Sequence, residues 1–279
     1  MNKRIVIIGG GVVGLATAWE LIKRGHQVQL LERNAEPGSA TSFANGGQLS
    51  YRYVAPLADS GVPLQGIKWM GKADSPLNMR LKMSFQQWRW LLQFLRACNS
   101  QTNKMNGDHI LRLSLLSRQV MQSWLDEDNL ADFHWRRSGK LIIHRREYDF
   151  IKAAKGIDPQ YQQALNADAC LQLEPALRHI SPSLQGGIYS PGDETADCHQ
   201  FCLALLDKLN ASNDFSLLTH CEVQQLNKRG GRISALETNR GTITGDDYVV
   251  AAGNGSGPLL GHLGVRVPLC ALKGYSLTL

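Results

Sequence analysis

Ile5-Val6-Ile7-Ile8-Gly9-Gly10-Gly11-Val12-Val13-Gly14-Leu15-Ala16-Thr17-Ala18-Trp19-Glu20-Leu21 reads as a strand, a glycine turn and a helix. Gly9 can supply the tight turn, Gly11 lets the backbone approach a pyrophosphate without an intervening Cβ, and Gly14 lets the helix pack closely on the strand. The helix N-terminus then offers unpaired N–H groups and a partial positive charge to the phosphates. A GxGxxG pattern is weak by itself, so its surroundings decide. Ala16, Leu21 and Ile22 continue an apolar helical face, Gly25 can cap the helix, and Gln27-Val28-Gln29-Leu30-Leu31-Glu32 alternates into a second strand. Glu32 falls 18 residues after Gly14, close to the roughly 20-residue spacing at which an acid accepts hydrogen bonds from an adenosine ribose. The opening therefore predicts a βαβ unit that binds a dinucleotide.

At 279 residues and 43% hydrophobic content, the chain can bury a sizeable core. Its net charge of +6 comes from 30 basic against 24 acidic side chains scattered along the sequence, which argues against nucleic acid as a partner. The six cysteines, Cys98, Cys170, Cys198, Cys202, Cys221 and Cys270, form no CxxC pair, so no zinc site or disulfide framework is predicted and a reducing compartment is. Asn2-Lys3-Arg4 before an apolar run imitates a secretory signal. The glycines would break its apolar region, while each has a use in the nucleotide turn. No stretch of about 18 apolar residues is present, so no transmembrane helix is predicted.

Arg33 to Gln48 is a long segment of small residues that allows a large flat cofactor to lie against the chain. Residues from about 65 to 130 read as helical, with Phe85, Trp88, Leu92 and Leu95 at helix spacing and a second helix over Ile110 to Leu125. Trp88, Trp90 and Phe94 beside Lys68, Lys72, Lys82, Arg89 and Arg96 could meet a membrane interface, but the wide apolar face favours packing in a domain core. Phe133 to Arg136 and Lys140 to His144 read as a hairpin, Glu147 to Ala154 as a helix, and Leu184 to Tyr189 as a strand. Phe201 to Leu209 is a well-patterned helix returning to the nucleotide domain. Cys198 and Cys202 share a helix face at metal-capable spacing, with buried packing the preferred reading. Phe215 to Thr219, Val223 to Asn227, Arg232 to Thr238, and Thr242 with Ile243 read as a β-meander. It leads into Asp247 to Val250, a buried parallel strand whose end at Ala251-Ala252-Gly253 can face a ligand.

With both ends of the nucleotide domain in view, the chain resembles the glycine oxidase and sarcosine oxidase superfamily of flavoproteins, and within it the D-amino-acid dehydrogenase small subunits. The resemblance rests on Ile7 to Gly14 with Glu32-Arg33, on Thr41 to Ser50, and on Ala55-Pro56 with Gly61-Val62-Pro63-Leu64. It continues through Ile67-Lys68-Trp69-Met70, Asp193 to Cys198 and Leu272 to Thr278, covering essentially the whole chain.

The resemblance implies an α/β protein: a Rossmann-like FAD-binding domain with an inserted β-meander and a discontinuous, incomplete α+β substrate domain. Residues 1–64 and 193–267 would bind FAD, 65–192 would form the substrate or cap domain, and 268–279 would begin the return to it. FAD would be held by Ile8, Gly9, Gly10, Gly11, Val12, Val13 and Gly14, with Glu32 on the ribose and Arg33 beside it. Ser42, Ala44, Asn45, Gly46, Gly47 and Gln48 would line the pyrophosphate and flavin, Val223 the adenine, and Ala252 and Gly253 the cofactor's other side. The implied activity is oxidative deamination of D-amino acids, with electrons passing to a quinone or other respiratory acceptor. The implied location is cytoplasmic, peripheral on the inner face of the membrane. No metal is implied. Gln48, Tyr53 and Tyr275 are candidate polar groups near substrate, and Lys273 has no assigned role. The strand-like ending at Leu279 reads as a truncation that leaves out the substrate-carboxylate residues. Two other functions stay open at this point: a catalytically silent nucleotide-binding or interaction chain, and an oxygen-using glycine or sarcosine oxidase.

Overall fold

The computed structural model describes residues 2–52, 54–69, 83–130 and 132–275. The chain begins with β1 (Arg4–Ile8), α1 (Val12–Lys23), β2 (Gln27–Leu31) and β3 (Gln48–Leu49), then α2 (Val62–Trp69), α3 (Phe85–Ala97) and α4 (Ser100–Asp126). Next come β4 (Lys140–His144), α5 (Glu147–Lys155), β5 (Gln163–Asn166), α6 (Ala167–Leu173), β6 (Gly186–Ser190) and β7 (Glu194–Thr195). It continues with α7 (Cys198–Asn210), β8 (Phe215–Leu218), β9 (Val223–Arg229), β10 (Arg232–Thr238), β11 (Gly241–Ile243), β12 (Asp247–Val250) and α8 (Ser256–Gly261).

Alternating side chains on β1 set the layering. Ile5 and Ile7 join Val28, Leu30, Leu15, Ala18, Phe201, Leu205 and Leu209 in one buried cluster, so α1 and α7 cover that face. Val6 and Ile8 point the other way and pack with Leu31, Cys221, Val223, Leu226 and Leu236. From Ile5 to Ile8 the strand thus needs an apolar residue at each position, as a parallel strand buried on both faces does. The sheet is parallel throughout, in the order β12-β1-β2-β8, with Ile5 opposite Asp247 and Val28. The antiparallel sheet β11-β10-β9 closes its second face. Trp124 near the end of α4 stacks on Phe201 and donates its indole N–H to Glu20 at 2.8 Å, fastening the long helix to α1 and α7.

Three expectations change. Phe215 to Thr219 is no part of the meander: β8 pairs with β2 in the parallel sheet. Phe215 and Leu217 pack on the helical cluster while Leu218 packs on the opposite one, a two-sided burial that so short an apolar run does not distinguish from a meander strand. Phe133 to Arg136 forms no hairpin with β4, which pairs instead with β6. Asp132 and His134 take positive φ values of 67° and 55°, which interrupts any extended run and turns Phe133 into the core against Phe201. Finally, the apolar face of α3 is not packed in a core: Phe85 is 84% and Leu92 57% exposed, with Trp88 and Leu95 also exposed.

Candidate cofactor-binding site

The glycine turn is fixed by backbone contacts that leave no room for side chains. Gly9, at φ +107°, donates its N–H to Leu31 O at 2.8 Å, and a Cβ there would lie 2.6 Å from Ala251 O. A Cβ on Gly14 would lie 1.9 Å from Gly9 O. The turn is therefore gripped between the ends of β2 and β12, with the start of α1 pressed onto it. Gly11 has more freedom than its place in the motif implies, since its Cβ would meet Ser42 Oγ at 3.3 Å. That hydroxyl accepts the N–H of Val12 at 3.0 Å, placing Ser42 directly at the helix start.

Glu32 follows β2 and is buried. One carboxylate oxygen accepts the N–H of Gly10 at 2.7 Å and the other that of Asn34 at 2.8 Å. A carboxylate offers about four lone-pair directions, so capacity remains for a ribose diol. Cys221 donates its N–H to Glu32 O at 2.9 Å, which brings the start of β9 and Val223 beside this corner. Ile8 ends β1 against Val250, and Ala252 lies across the turn, its Cα 3.1 Å from the position a Gly9 Cβ would take. Gly253 follows it. Val13 is exposed at the first turn of α1, and Arg33 is exposed beside Glu32.

Gly38 donates to Gly10 O at 2.8 Å, so the small-residue loop folds back over the turn. Ala44, Asn45 and Gly46 are exposed along it, and Gly47 takes φ +60° while donating to Asn45 Oδ1 at 2.9 Å. Gly47 O accepts Ala196 N–H at 2.8 Å, and Gln48 pairs with Thr195. Hence the loop is pinned at both ends. Exposed backbone next to a helix N-terminus, a turn that excludes Cβ atoms and a buried acid with free acceptor capacity fit the ribose and pyrophosphate of a dinucleotide.

Just beyond the loop lies a buried polar group that sequence reasoning missed. Tyr51 donates its hydroxyl to Glu194 Oε2 at 3.1 Å, and Trp135 donates its indole N–H to the same oxygen at 2.9 Å. Burial first, and then the Glu194 carboxylate, push the Tyr51 phenol above its ordinary value, so it remains a donor. Asp193 is 3% exposed and accepts Tyr51 N–H at 3.2 Å through Oδ1, while Oδ2 is buried with no hydrogen-bond partner among the described residues. Burial raises the Asp193 pKa. An acid whose folded pKa is raised contributes stability that is present below about pH 4 and is lost as the pH rises through the folded value. Asp193→Asn is therefore expected to gain thermal midpoint relative to the parent chain as the pH goes from 4 to 7. A difference that stays flat with pH would refute the buried acid. The residue types Asp193, Glu194 and Tyr51 were visible in the sequence, but their burial depends on the β3–β7 pairing.

Of the candidates near substrate, Gln48 is exposed at the loop's end. Tyr53 lies outside the described residues. Tyr275 is 88% exposed with the Lys273 ammonium 5.0 Å above its ring, so the structure does not bring it into the site. Cys202 is buried in the core beneath the loop and Cys198 packs on the same cluster.

A profile of the family described as FAD dependent oxidoreductase matches residues 4–279. D-amino acid dehydrogenase 2 of Pseudomonas aeruginosa is 48% identical over 280 aligned residues, covering 100% of this chain and 67% of the relative. D-amino acid dehydrogenase of Vibrio atlanticus is 35% identical, covering 99% of this chain and 67% of the relative. The chain thus spans about two thirds of the length of the curated relatives it matches. Among solved structures, glycine oxidase of Geobacillus kaustophilus superposes with a TM-score of 0.64 at 22% identity, covering 95% of this chain and 60% of that one. L-proline dehydrogenase of P. horikoshii superposes with a TM-score of 0.63 at 18% identity, covering 95% and 56%. The matched residues include the glycine turn, the acid after β2 and the parallel sheet that presents them, and the chain belongs to the FAD-dependent oxidoreductase family.

Proposed function

We propose that this chain provides the cofactor-binding part of an enzyme that oxidises D-amino acids to 2-oxo acids and ammonia. The observation that carries the reading is the 48% identity, along the whole chain, to a protein named D-amino acid dehydrogenase 2. Bound FAD supplies the acceptor for the two electrons and the Cα hydrogen, and water then hydrolyses the imino acid.

The chain's own residues supply position and field. Gly9 to Gly14 bring helix N–H groups to the pyrophosphate, Ser42 orders the first of them, and Glu32 takes the ribose hydroxyls. Residues 44–48 border the flavin, their path set by the β3–β7 pairing and the Tyr51–Glu194 bond. Val223, Ala252 and Gly253 close the opposite side of the cofactor. Residues 1–64 and 193–267 make up the cofactor domain in this reading, and 65–192 the cap. A hydride transfer from a neutral amine requires no strong protein base, so placement of the reacting atoms carries the catalysis.

The electron acceptor is a quinone or another respiratory carrier, with the chain peripheral on the inner face of the cell membrane. Support for the membrane-facing part is the exposed Phe85, Trp88, Leu92 and Leu95 on α3. The test is direct. Purified chain should carry a flavin spectrum that bleaches with D-alanine, reduce a dye acceptor and leave L-alanine untouched. A colourless chain, or one that accumulates hydrogen peroxide in place of reduced dye, would overturn the dehydrogenase reading.

A further inference from the structure

Residues 193–197, which include β7, run between two segments from distant parts of the chain. On one edge Gln48 and Leu49 pair with Thr195 and Glu194, and Ala196 donates its N–H to Gly47 O at 2.8 Å. On the other edge Arg136 and Thr195 exchange both backbone bonds at 2.9 Å, Gly139 donates to Asp193 O, and Asp197 donates to Phe133 O. The first edge is the end of the small-residue loop, and the second leads from α4 into β4. Backbone bonds hold each edge without reference to the other.

The Glu194 side chain removes that independence. Its carboxylate is 4% exposed, and a single oxygen, Oε2, accepts the Tyr51 hydroxyl at 3.1 Å from the loop edge and the Trp135 indole N–H at 2.9 Å from the cap edge. Two donors occupy both lone-pair directions of that oxygen. The other oxygen, Oε1, faces Arg137 Nε at 3.9 Å, and the same guanidinium donates to Gln122 Oε1 on α4 at 2.6 Å. Tyr51 is as deeply buried as Glu194, so no bulk water stands ready to replace a lost partner. A buried carboxylate with its partners in place is a rigid joint, and the loss of one loosens the rest.

We propose that Glu194 is a positioning residue that ties the cap segment 133–139 to the loop 44–51, so that displacement of either side is felt by the other. It acts through Tyr51 and the loop, not by contact with the reacting atoms. Its bearing on catalysis rests on the reading of residues 44–48 as the border of the flavin: a loop held in register with the cap presents substrate to the cofactor at a fixed distance. The joint itself does not rest on that reading.

The test uses the purified chain and two variants that each remove one donor. Trp135→Phe removes the cap-side donor, and its effect is read on the loop: hydrogen exchange, followed by peptide mass spectrometry, should quicken about tenfold across residues 47–51, the size expected for losing one hydrogen bond to a charged group. Tyr51→Phe should quicken exchange across residues 133–139 by a similar factor, as coupling between two sites must be reciprocal. Ser138→Ala removes a 3.1 Å contact to Thr195 Oγ1 on the cap edge without touching Glu194, and should leave the loop at the parental rate. Exchange that quickens only on the mutated side, or loop exchange that quickens equally in Ser138→Ala, overturns the proposal. Tyr51→Phe removes one oxygen and little volume, so its arm decides even where Trp135→Phe fails to fold.

Catalysis is read as the rate of flavin bleaching by D-alanine per bound flavin, a quantity that a role confined to stability would not move. It should fall about tenfold in each single variant and no further in the double variant, because both donors act through one oxygen. Glu194→Gln keeps an acceptor oxygen for the two donors and should keep most of the parental rate. Parental rates in both single variants, or losses that multiply in the double variant, overturn the link to catalysis. A parent chain that is colourless, or yellow and not bleached by D-alanine, refutes the reading of function instead, and the exchange rates still decide the joint.

Discussion

Gly14→Ala is expected to leave the chain without bound flavin and to lower its stability by about 3 kcal/mol or more, beyond the usual range for overpacking. The new methyl would lie 1.9 Å from Gly9 O. Gly9 cannot retreat, because its N–H is bonded to Leu31 O and its own Cβ position is already 2.6 Å from Ala251 O. The start of α1 must move outward, breaking the Val12–Ser42 bond and carrying the Val13 N–H away from the phosphate position. Propensity alone points the other way, since alanine is favoured over glycine inside a helix by about 1 kcal/mol. The sign of the change therefore separates the two effects. Denaturant midpoints and flavin absorbance per chain measure it, and a stabilised, yellow Gly14→Ala would show that helix and turn are not in the contact described.

Glu32→Ala should be nearly as damaging, by a different route. It strips the Gly10 and Asn34 N–H groups of their acceptor in a buried corner, and a buried donor left unpaired costs about 1–3 kcal/mol. Two such donors give a loss of roughly 2–6 kcal/mol, and the ribose loses its acceptor as well. Glu32→Gln keeps one carbonyl oxygen and the side-chain volume, so it should fall between the parent and the alanine variant in both stability and FAD affinity. Chemical denaturation with a flavin titration tests the order. FAD binding by Glu32→Ala equal to that of the parent would remove Glu32 from the site.

The parts of this fold that could be read in advance are those where one residue type answers to one local demand. Glycines at positions 9 and 14 meet a backbone approach that nothing else fits, and the apolar run Ile5–Ile8 meets a strand buried on both faces. Glu32 is legible because the end of β2 fixes its distance from the turn. What escaped was pairing between distant segments. The partner of β8 is β2 and that of β4 is β6, choices made by tertiary packing that a run of four or five apolar residues does not encode. The burial of Asp193 and Tyr51 depends in the same way on β3 meeting β7 across more than 140 residues. The exposed face of α3 shows that helical periodicity marks an apolar stripe without naming what covers it.

The central place of β1 also has a bearing on how the protein is made. The strand leaves the ribosome well before its partner, for Ile5 pairs with Asp247 about 240 residues later. At typical synthesis rates of about 5–20 residues per second, the interval between the two is roughly 12–50 s. Until β12 arrives, Gly9 has no Ala251 to rest on, and one edge of the first strand waits unpaired. The segment that defines the cofactor turn is thus synthesised long before it is secured, a window in which a chaperone or a misplaced strand competes for the same edge.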